Sequence, residues 1–313
     1  MDELKKNNPL VSVAVIAYNS ANTIVETLDS IATQDYQNLE LIISDDGSSD
    51  NTMSLCREWV EQNKERFVRV EIIKSDKNLG VSANSNRAEA VCKGEWVKGI
   101  AGDDILLPTC IKDCVEYVTA HPETVYLFGK IQCFGAPPKR CKDVEDFFDY
   151  SFFSLSIEEQ LERLLFVFNC IPAPTTFYNL RNSIELGISN DERIPLLEDW
   201  PKWINCLRKG VRFGFLDKVL VKYRLGGIAT NDKVSLRSYE SFQLFKFYYQ
   251  FPEWIKRDED DAIARIVKEQ VDQYDELLKT EKKLNQVLSS KAYRLGKLLL
   301  RPWNKIYTLF HFS

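Results

Sequence analysis

The chain has 313 residues, 44% of them hydrophobic, with 41 Lys and Arg against 46 Asp and Glu for a formal net charge of −5. That length holds one large or two ordinary domains with ample apolar material for a core. The composition excludes collagen, a disulfide mini-protein and wholesale disorder, and the acidic balance argues against a general nucleic-acid binder.

The N-terminus, MDELKKNNPLVSV, lacks the apolar core and cleavage site of a signal peptide. Eight cysteines, at 56, 92, 110, 114, 133, 141, 170 and 206, form no CxxC pair. These features predict buried, reduced thiols and a cytoplasmic location. No apolar run approaches the ~18 residues that span a bilayer.

In chain order, Val11 to Ala17 (VSVAVIA) is a short β-branched apolar run, as in a strand covered on both faces. Residues 22–34 carry Ile24, Leu28, Ile31 and Ala32 at helical spacing. LELIIS at 39–44 predicts a second strand, 49–63 a helix capped by Ser49 or Asp50, 68–74 a third strand and 81–92 a helix. EWVKGIA at 95–101 predicts a fourth strand, 108–120 a helix opened by Pro108, and 124–134 another strand. Residues 135–157 predict a loop or short helices over the active face, followed by helices at 157–169 and 200–209 and two closing strands at 211–216 and 219–225.

From 257 to 289 runs a long charged helix. Positions 263, 267, 270, 274, 277, 281, 284 and 288 step by four and three and are apolar or aromatic except Gln270 and Glu281. Both a short coiled coil, hence a homo-oligomer, and a helix packed on its own domain fit that pattern. From Lys282 onward there are seven basic residues (Lys282, Lys283, Lys291, Arg294, Lys297, Arg301, Lys305) and no acid. Residues 291–313 add Tyr293, Leu298, Trp303, Tyr307 and Phe310 at helical spacing, with a kink expected at Pro302. Such a basic amphipathic tail suits an anionic membrane surface; packing on the protein or on a second copy is the other reading.

Strands alternating with helices imply βαβ units and a parallel, doubly wound sheet, whose ligands bind beyond the carboxyl ends of the strands. Three polar clusters fall at such ends: Ala17-Tyr18-Asn19, Ser44-Asp45-Asp46-Gly47-Ser48 and Gly102-Asp103-Asp104. No GxG spacing and no GxxxxGK[ST] occurs, so glycine-rich phosphate loops are absent. Adjacent carboxylates with a hard cation, Mn²⁺ or Mg²⁺, are the remaining way to hold a diphosphate, and Asp103-Asp104 fits. On the dipeptide alone a helix cap ahead of Pro108 is the stronger reading. The two histidines, His121 and His311, exclude a His-rich zinc site and leave acid–base chemistry to carboxylates.

Taken together, VSVAVIAYNS, LDSIATQDY, LELIISDDGSSDNT, NLGVSANSN and GEWVKGIAGDDILLP, in this order, resemble family 2 glycosyltransferases, the inverting enzymes of the GT-A fold. The resemblance covers residues 9 to about 225. It implies that Ala17, Tyr18 and Asn19 flank the nucleotide base and that Asp46, beside Asp45, accepts a uracil or thymine N–H. It implies that Asn78, Gly80 and Asn86 close over the nucleotide, and that Asp103 and Asp104 hold the metal against the diphosphate. Leu196-Leu-Glu-Asp-Trp200 resembles the family's ED motif, making Asp199 the base with Glu198 beside it; by sequence alone helix capping competes. Two departures stand out. Ala101 replaces the first Asp of the commoner DxDD form, and Gly follows the Tyr223-Arg224 strand where a His is often found.

The implied protein is a metal-dependent inverting glycosyltransferase with a GT-A, Rossmann-like doubly wound mixed sheet and a C-terminal helical extension. It would move a sugar from a UDP or dTDP donor to a hydroxyl of a growing glycan or lipid-linked oligosaccharide, in polysaccharide biosynthesis of the cell envelope. Its expected divisions are a GT-A domain over 1–227 (nucleotide half 9–134, acceptor half 135–227), a helical extension over 228–290 and the tail at 291–313. Its expected place is the cytoplasm, with peripheral contact to the inner face of the plasma membrane. Two alternatives remain. A nucleotidyltransferase would need a basic glycine-rich loop, but residues 15–25 contain no Gly, Lys or Arg. A non-catalytic nucleotide-binding scaffold would act through the C-terminal helices.

Overall fold

The computed structural model describes residues 8–226, 236–250 and 260–289. One eight-stranded sheet organises it, built from β1 (Val11–Ala17), β2 (Leu39–Asp45), β3 (Arg69–Lys74), β4 (Trp96–Ala101), β5 (Ile105–Leu106), β6 (Tyr126–Phe134), β7 (Phe177–Asn179) and β8 (Phe213–Arg224). The spatial order is β3-β2-β1-β4-β7-β6-β8-β5. The first four strands are mutually parallel, β7 runs antiparallel to both β4 and β6, and β6 pairs in parallel with β8. The sheet is therefore mixed, and its parallel half is the doubly wound part that the alternating pattern predicts.

The helices are α1 (Ile24–Ala32), α2 (Thr52–Asn63), α3 (Val81–Val91), α4 (Cys110–Ala120), α5 (Pro138–Phe147), α6 (Ile157–Phe166), α7 (Leu180–Glu185), α8 (Asp199–Arg208), α9 (Leu236–Phe245) and α10 (Asp260–Ser289). Side chains alternate across a strand, so one sheet is covered twice. Val11, Val13 and Val15 with Leu39, Leu41 and Ile43 pack against α1, α2 and α4. Ala14, Ile42 and Val97 face α3, α6 and α8. All of β2 is buried, whereas the edge strand β3 is half-buried.

Several boundaries differ from the sequence reading, each for a local reason. The two strands expected at 211–216 and 219–225 are one strand, β8. Exposed Asp217 and Lys218 look like a turn, but a register shift against β6 between Phe128 and Ile131 absorbs them. Helix α2 starts at Thr52, with Asn51 at its cap position and no side-chain cap. Asp50 instead accepts from the N–H groups of Thr52 (3.0 Å) and Ala21 (3.1 Å). Pro108 lies before α4 rather than at its first position, and α6 ends at Phe166, short of 169. The 135–157 stretch holds α5 and a 3₁₀ turn at Tyr150–Ser154.

Helix α10 lies against α9 of its own chain. The described part of α10 thus has an intramolecular partner, as the packed-helix reading of the heptad pattern expects. The Phe245 and Trp200 rings, tilted by 34° with centroids 4.4 Å apart, tie α9 to α8. All eight cysteines are free and seven are buried. Among the described residues no helix is long and apolar enough to cross a membrane. The basic tail at 291–313 and Gly227 lie outside the described residues.

At the amino end of the sheet, Glu40 is fully buried on β2. It accepts from Ser12 Oγ, from the N–H groups of Lys93 (2.5 Å) and Gly94 (2.9 Å), and from Arg69 Nη1 (3.0 Å). Burial pulls its pKa up, but the donors from Ser12, Lys93, Arg69 and Gly94 together hold it below the ordinary 4.5. A carboxylate whose folded pKa is depressed contributes stability that is complete above its unfolded pKa and lost as pH falls through the folded value. Glu40→Gln is expected to lose about 1–3 kcal/mol at pH 7. Denaturant unfolding from pH 7 to pH 3 should show the difference between wild type and variant shrinking toward the acid end.

Candidate active site

Three strand ends meet at the opposite edge. β1 and β4 are neighbours in register, Ile16 opposite Ala101, so the Gly102 N–H donates to Ile16 O at 2.9 Å. The Asp46 N–H donates to Ala17 O at 2.9 Å. The polar clusters after β1, β2 and β4 are thereby one continuous rim. Ala17 is buried, while Tyr18, 38% exposed, stands on the rim's surface. Asn19 is the single non-glycine residue at positive φ among the described residues, 49°, a conformation asparagine tolerates. Its N–H donates to Ser48 Oγ (2.8 Å) and its Oδ1 accepts from the Ser49 N–H (2.9 Å), which locks the β1 loop to the β2 loop.

Asp45 is fully buried and accepts from the N–H (2.9 Å) and hydroxyl of Ser48, shaping the turn after β2. Gly47 in that turn has φ 75°, and a Cβ there would meet Lys77 C at 2.8 Å. Only glycine lets the 45–48 turn approach the 76–80 segment so closely. Asp46 holds that segment: its Oδ2 accepts from the N–H groups of Leu79 (3.1 Å) and Gly80 (2.8 Å), while its Oδ1 pairs with Arg87 at 3.3 Å. Gly80, at φ 102°, opens α3. Asn78 sits in the held segment and has a partner of its own.

Asn86 is directed elsewhere. Its Oδ1 accepts from the Asn190 N–H (3.0 Å) and Nδ2 (2.8 Å), and its Nδ2 donates to Asn190 O (3.0 Å) and Glu192 (2.9 Å). It joins α3 to the segment leading toward α8. Arg87, which the motif reading passed over, is the residue of α3 that reaches the β2 loop. It donates to Ser44 Oγ (3.2 Å), Asp45 O (3.2 Å) and Asn84 Oδ1 (2.7 Å) besides Asp46. The i, i+3 spacing of Asn84 and Arg87, one helical turn, was a usable signal.

The metal-type acids follow β4. Asp103 is half-buried and Asp104 is 1% exposed. Asp104 Oδ1 accepts from the Arg224 N–H at 2.9 Å, but Oδ2 is buried without a partner. Arg224 also donates to Asp103 O (2.8 Å) and to Glu26, with its guanidinium over the Phe134 ring. Thr23 and Thr27 hold Gly102 O (2.7 Å) and Asp104 O (2.8 Å). This is a loop pinned on all sides around one orphaned oxygen. Burial, and then the charge of Asp103, push Asp104 up to about 8 against the opposing pull of Arg224 and Lys98. Burial likewise raises Asp103.

The ED pair begins α8. Asp199 Oδ2 accepts from Asn169 Nδ2 (2.7 Å) and Oδ1 from the Trp200 N–H (2.7 Å). Burial raises its pKa against those two donors. Burial and then the Asp199 charge raise Glu198. Lys202, one turn on, pairs with Glu89 of α3 at 2.6 Å and anchors the helix. Tyr223, on β8, links the two acid groups: burial and then the charges of Asp104, Asp103 and Asp199 push its phenol well above its ordinary range. Asp103, Asp104 and Asp199 thus all lie near enough to Tyr223 for their charges to reach its phenol. Asn169 and Tyr223 were not singled out from the sequence, where a lone Asn before Pro172 carries no signal.

A divalent cation suits this donor set. The orphaned Asp104 oxygen is the unmet acceptor such an ion satisfies, and hard cations select carboxylate oxygen. Among the described residues no group of three or more His, Cys, Asp or Glu side chains comes together. The protein offers Asp103 and Asp104, and substrate oxygens and water would complete the shell.

Comparison with known proteins fits this geometry. A family model described as Glycosyl transferase family 2 matches residues 12–177, more than half of the chain. A protein of Haemophilus influenzae described as an uncharacterized glycosyltransferase is 30% identical over 229 residues, covering 72% of this chain and 68% of its own. The Escherichia coli UDP-Glc:alpha-D-GlcNAc-diphosphoundecaprenol beta-1,3-glucosyltransferase WfaP is 28% identical over 226 residues, 71% of this chain and 80% of its own. Among solved structures, S. aureus TarS 1-349 in complex with UDP-GlcNAc matches with a TM-score of 0.59 at 21% identity, covering 81% of this chain and 70% of that one. The mannosyltransferase PcManGT from Pyrobaculum calidifontis, in complex with GDP-Man and Mn²⁺, matches with a TM-score of 0.56 at 19% identity, covering 79% and 64%. At these identities the two structures establish the shared fold.

The raised Asp104 pKa has a consequence for stability. Between its ordinary 3.8 and about 8 the folded state binds more protons than the unfolded state, so this group lowers stability as pH rises through that window. Asp104→Asn keeps an acceptor for the Arg224 N–H and removes the charge. The cation-free variant is expected to melt higher than wild type at pH 8, by about 2–5 °C, with the gap closing toward pH 4. Thermal unfolding in chelator across that range measures it.

Proposed function

The chain belongs to glycosyl transferase family 2, and from that premise we propose that it transfers a sugar from a UDP or dTDP donor to a hydroxyl of a growing glycan or lipid-linked oligosaccharide, with inversion at the anomeric carbon. The observation that carries this reading is the pairing of a buried, unsatisfied carboxylate oxygen at the end of β4 with a second carboxylate at the start of α8, both acting on Tyr223. An inverting transfer needs those two functions on opposite sides of one sugar. The UDP-GlcNAc complex of TarS and the UDP-Glc in the name of WfaP support a uridine-type donor.

The residues divide the work. Asp46 accepts three hydrogen bonds here, and a carboxylate offers about four acceptor sites, so one remains for a base N–H. Tyr18, exposed on the rim, offers a ring face to the base. Asp103 and Asp104 would hold a divalent cation, which supplies positive charge against the leaving diphosphate. Manganese in the PcManGT complex supports Mn²⁺ as that ion. Asp199, its basicity raised by burial and its direction set by Asn169, takes the acceptor hydroxyl proton as that oxygen attacks. Glu198 holds the acceptor beside it. The diphosphoundecaprenol acceptor in the name of WfaP and the basic, aromatic make-up of 291–313 support a lipid-linked acceptor at an anionic membrane face.

Asp199→Asn is expected to lower kcat by about 10²–10⁴-fold, the usual contribution of a general base. Donor affinity by calorimetry with UDP and Mn²⁺ should stay within about threefold, since uniform binding is untouched. Asp103→Asn/Asp104→Asn should instead abolish the Mn²⁺-dependent part of UDP binding. Turnover by Asp199→Asn at the wild-type rate, or product with a retained anomer by NMR, would reject the inverting assignment.

A further inference from the structure

Lys98 is the oddest residue of the core. It lies on β4 between Trp96 and Ile100, is fully buried, and is surrounded by apolar side chains and by Cys110 and Cys114 of α4. Among the described residues it forms no ion pair. Its ammonium donates to two carbonyls, Gly99 O (2.6 Å) and Pro174 O (2.5 Å). A buried charge satisfied only by carbonyls is costly, and an apolar residue of the same length would pack there without that cost. The ammonium is held in place by geometry and not by a counter-ion.

The second carbonyl lies outside β4. Pro174 belongs to a 3₁₀ turn, Ala173–Thr175, in a stretch made stiff by two fixed proline φ angles at 172 and 174. The stretch is bonded within itself: Thr175 N–H to Pro172 O (3.0 Å), Thr176 N–H to Ala173 O (3.1 Å) and Ile171 N–H to Asn169 Oδ1 (3.1 Å). Thr175 Oγ1 ties it to β6 through the Gly129 N–H. Asn169, at its head, grips Asp199. At the other end, β4 runs from Lys98 directly into Gly102-Asp103-Asp104.

We infer that Lys98 is a positioning residue: its ammonium clamps the 169–176 strut, and through Asn169 the Asp199 carboxylate, to the strand that carries Asp103 and Asp104. The clamp fixes the separation between the acceptor-side and donor-side carboxylates. It rests on the reading above, in which Asp199 is the base and Asp103-Asp104 the cation site. It predicts damage to transfer without damage to donor binding, because the nucleotide contacts on β1 and β2 do not run through the strut.

The test uses Lys98→Met in the full chain. Hydrogen exchange at the Ile171, Thr175 and Thr176 amides, which requires no substrate, should speed up by at least about tenfold while the β1 and β2 amides stay protected. Turnover should fall by at least about tenfold, as misplacement of reacting groups does, with the Kd for UDP measured without metal unchanged. Asn169→Ala and Lys98→Met should combine to much less than the product of their separate losses, since both break one connection. Should Lys98→Met fail to fold, Thr175→Val, which removes the strut's side-chain tie to β6, is expected to give the same exchange and kinetic pattern. Unchanged exchange at 171–176, or fully multiplicative losses with Asn169→Ala, overturns the clamp. Faster exchange in a protein whose wild type turns over no UDP or dTDP sugar upholds the clamp and overturns the transferase reading instead.

Discussion

The end of β4 is governed first by burial and then by repulsion between its two carboxylates. Two consecutive carboxylates sit where water reaches one poorly and the other hardly at all, and each burial raises the energy of the charged form. Much of the neighbouring structure serves to hold this loop against that repulsion. Arg224 contributes its N–H and guanidinium, Thr23 and Thr27 fix the carbonyls, and Lys98 adds a buried positive charge within reach. None of these meets Asp104 Oδ2. The loop is restrained in position and left deficient in charge, the condition in which a cation and the diphosphate it accompanies bind with least reorganisation.

The second constraint is that Asp103-Asp104 and Glu198-Asp199 come from different parts of the chain. The continuous sheet provides the frame, since β7 and β8 from the later half join the same sheet as β1 and β4. Side-chain ties then cross between the halves near the rim. Asn86 binds Asn190, Glu89 binds Lys202, and Ser82 Oγ donates to Ile194 O at 2.7 Å, so α3 is laced to the segment and helix that carry Glu198 and Asp199. Movement of α3 would thus be felt at Asp199.

Periodicity made the parallel half legible. VSVAVIA and LELIIS are buried on both faces, and continuous β-branched runs encode that directly. The rim was legible because polar clusters at strand ends must converge in such a sheet. What sequence could not supply was the direction of side chains whose partners lie a hundred residues away. Asn86 belongs by motif to the nucleotide segment, yet its amide reads Asn190. Asn169 looks like any loop asparagine until α8 is placed beside it. Asp217-Lys218 imitates a turn because a bulged strand exposes consecutive polar residues. Lys98 carried a signal that went unread: it alternates with Trp96 and Ile100, both buried, so the pattern already assigned a lysine to a core face.

Glu40 and Asp104 make the division between scaffold and site measurable within one sheet. Both are acids beyond the reach of solvent, at opposite ends of β2 and β4, the two strands that flank β1. Glu40 collects donors from Ser12, Lys93, Gly94 and Arg69, and its pKa falls. Asp104 receives one backbone N–H on one oxygen and its pKa climbs to about 8. Burial by itself acts in the same direction on both, so the difference lies in the donors each was given and in the Asp103 charge beside Asp104. A fold able to satisfy a buried carboxylate completely at one end has the means to do so at the other. It leaves Asp104 half-satisfied in a loop held by Arg224, Thr23 and Thr27, the state in which a bound cation would supply the missing interaction.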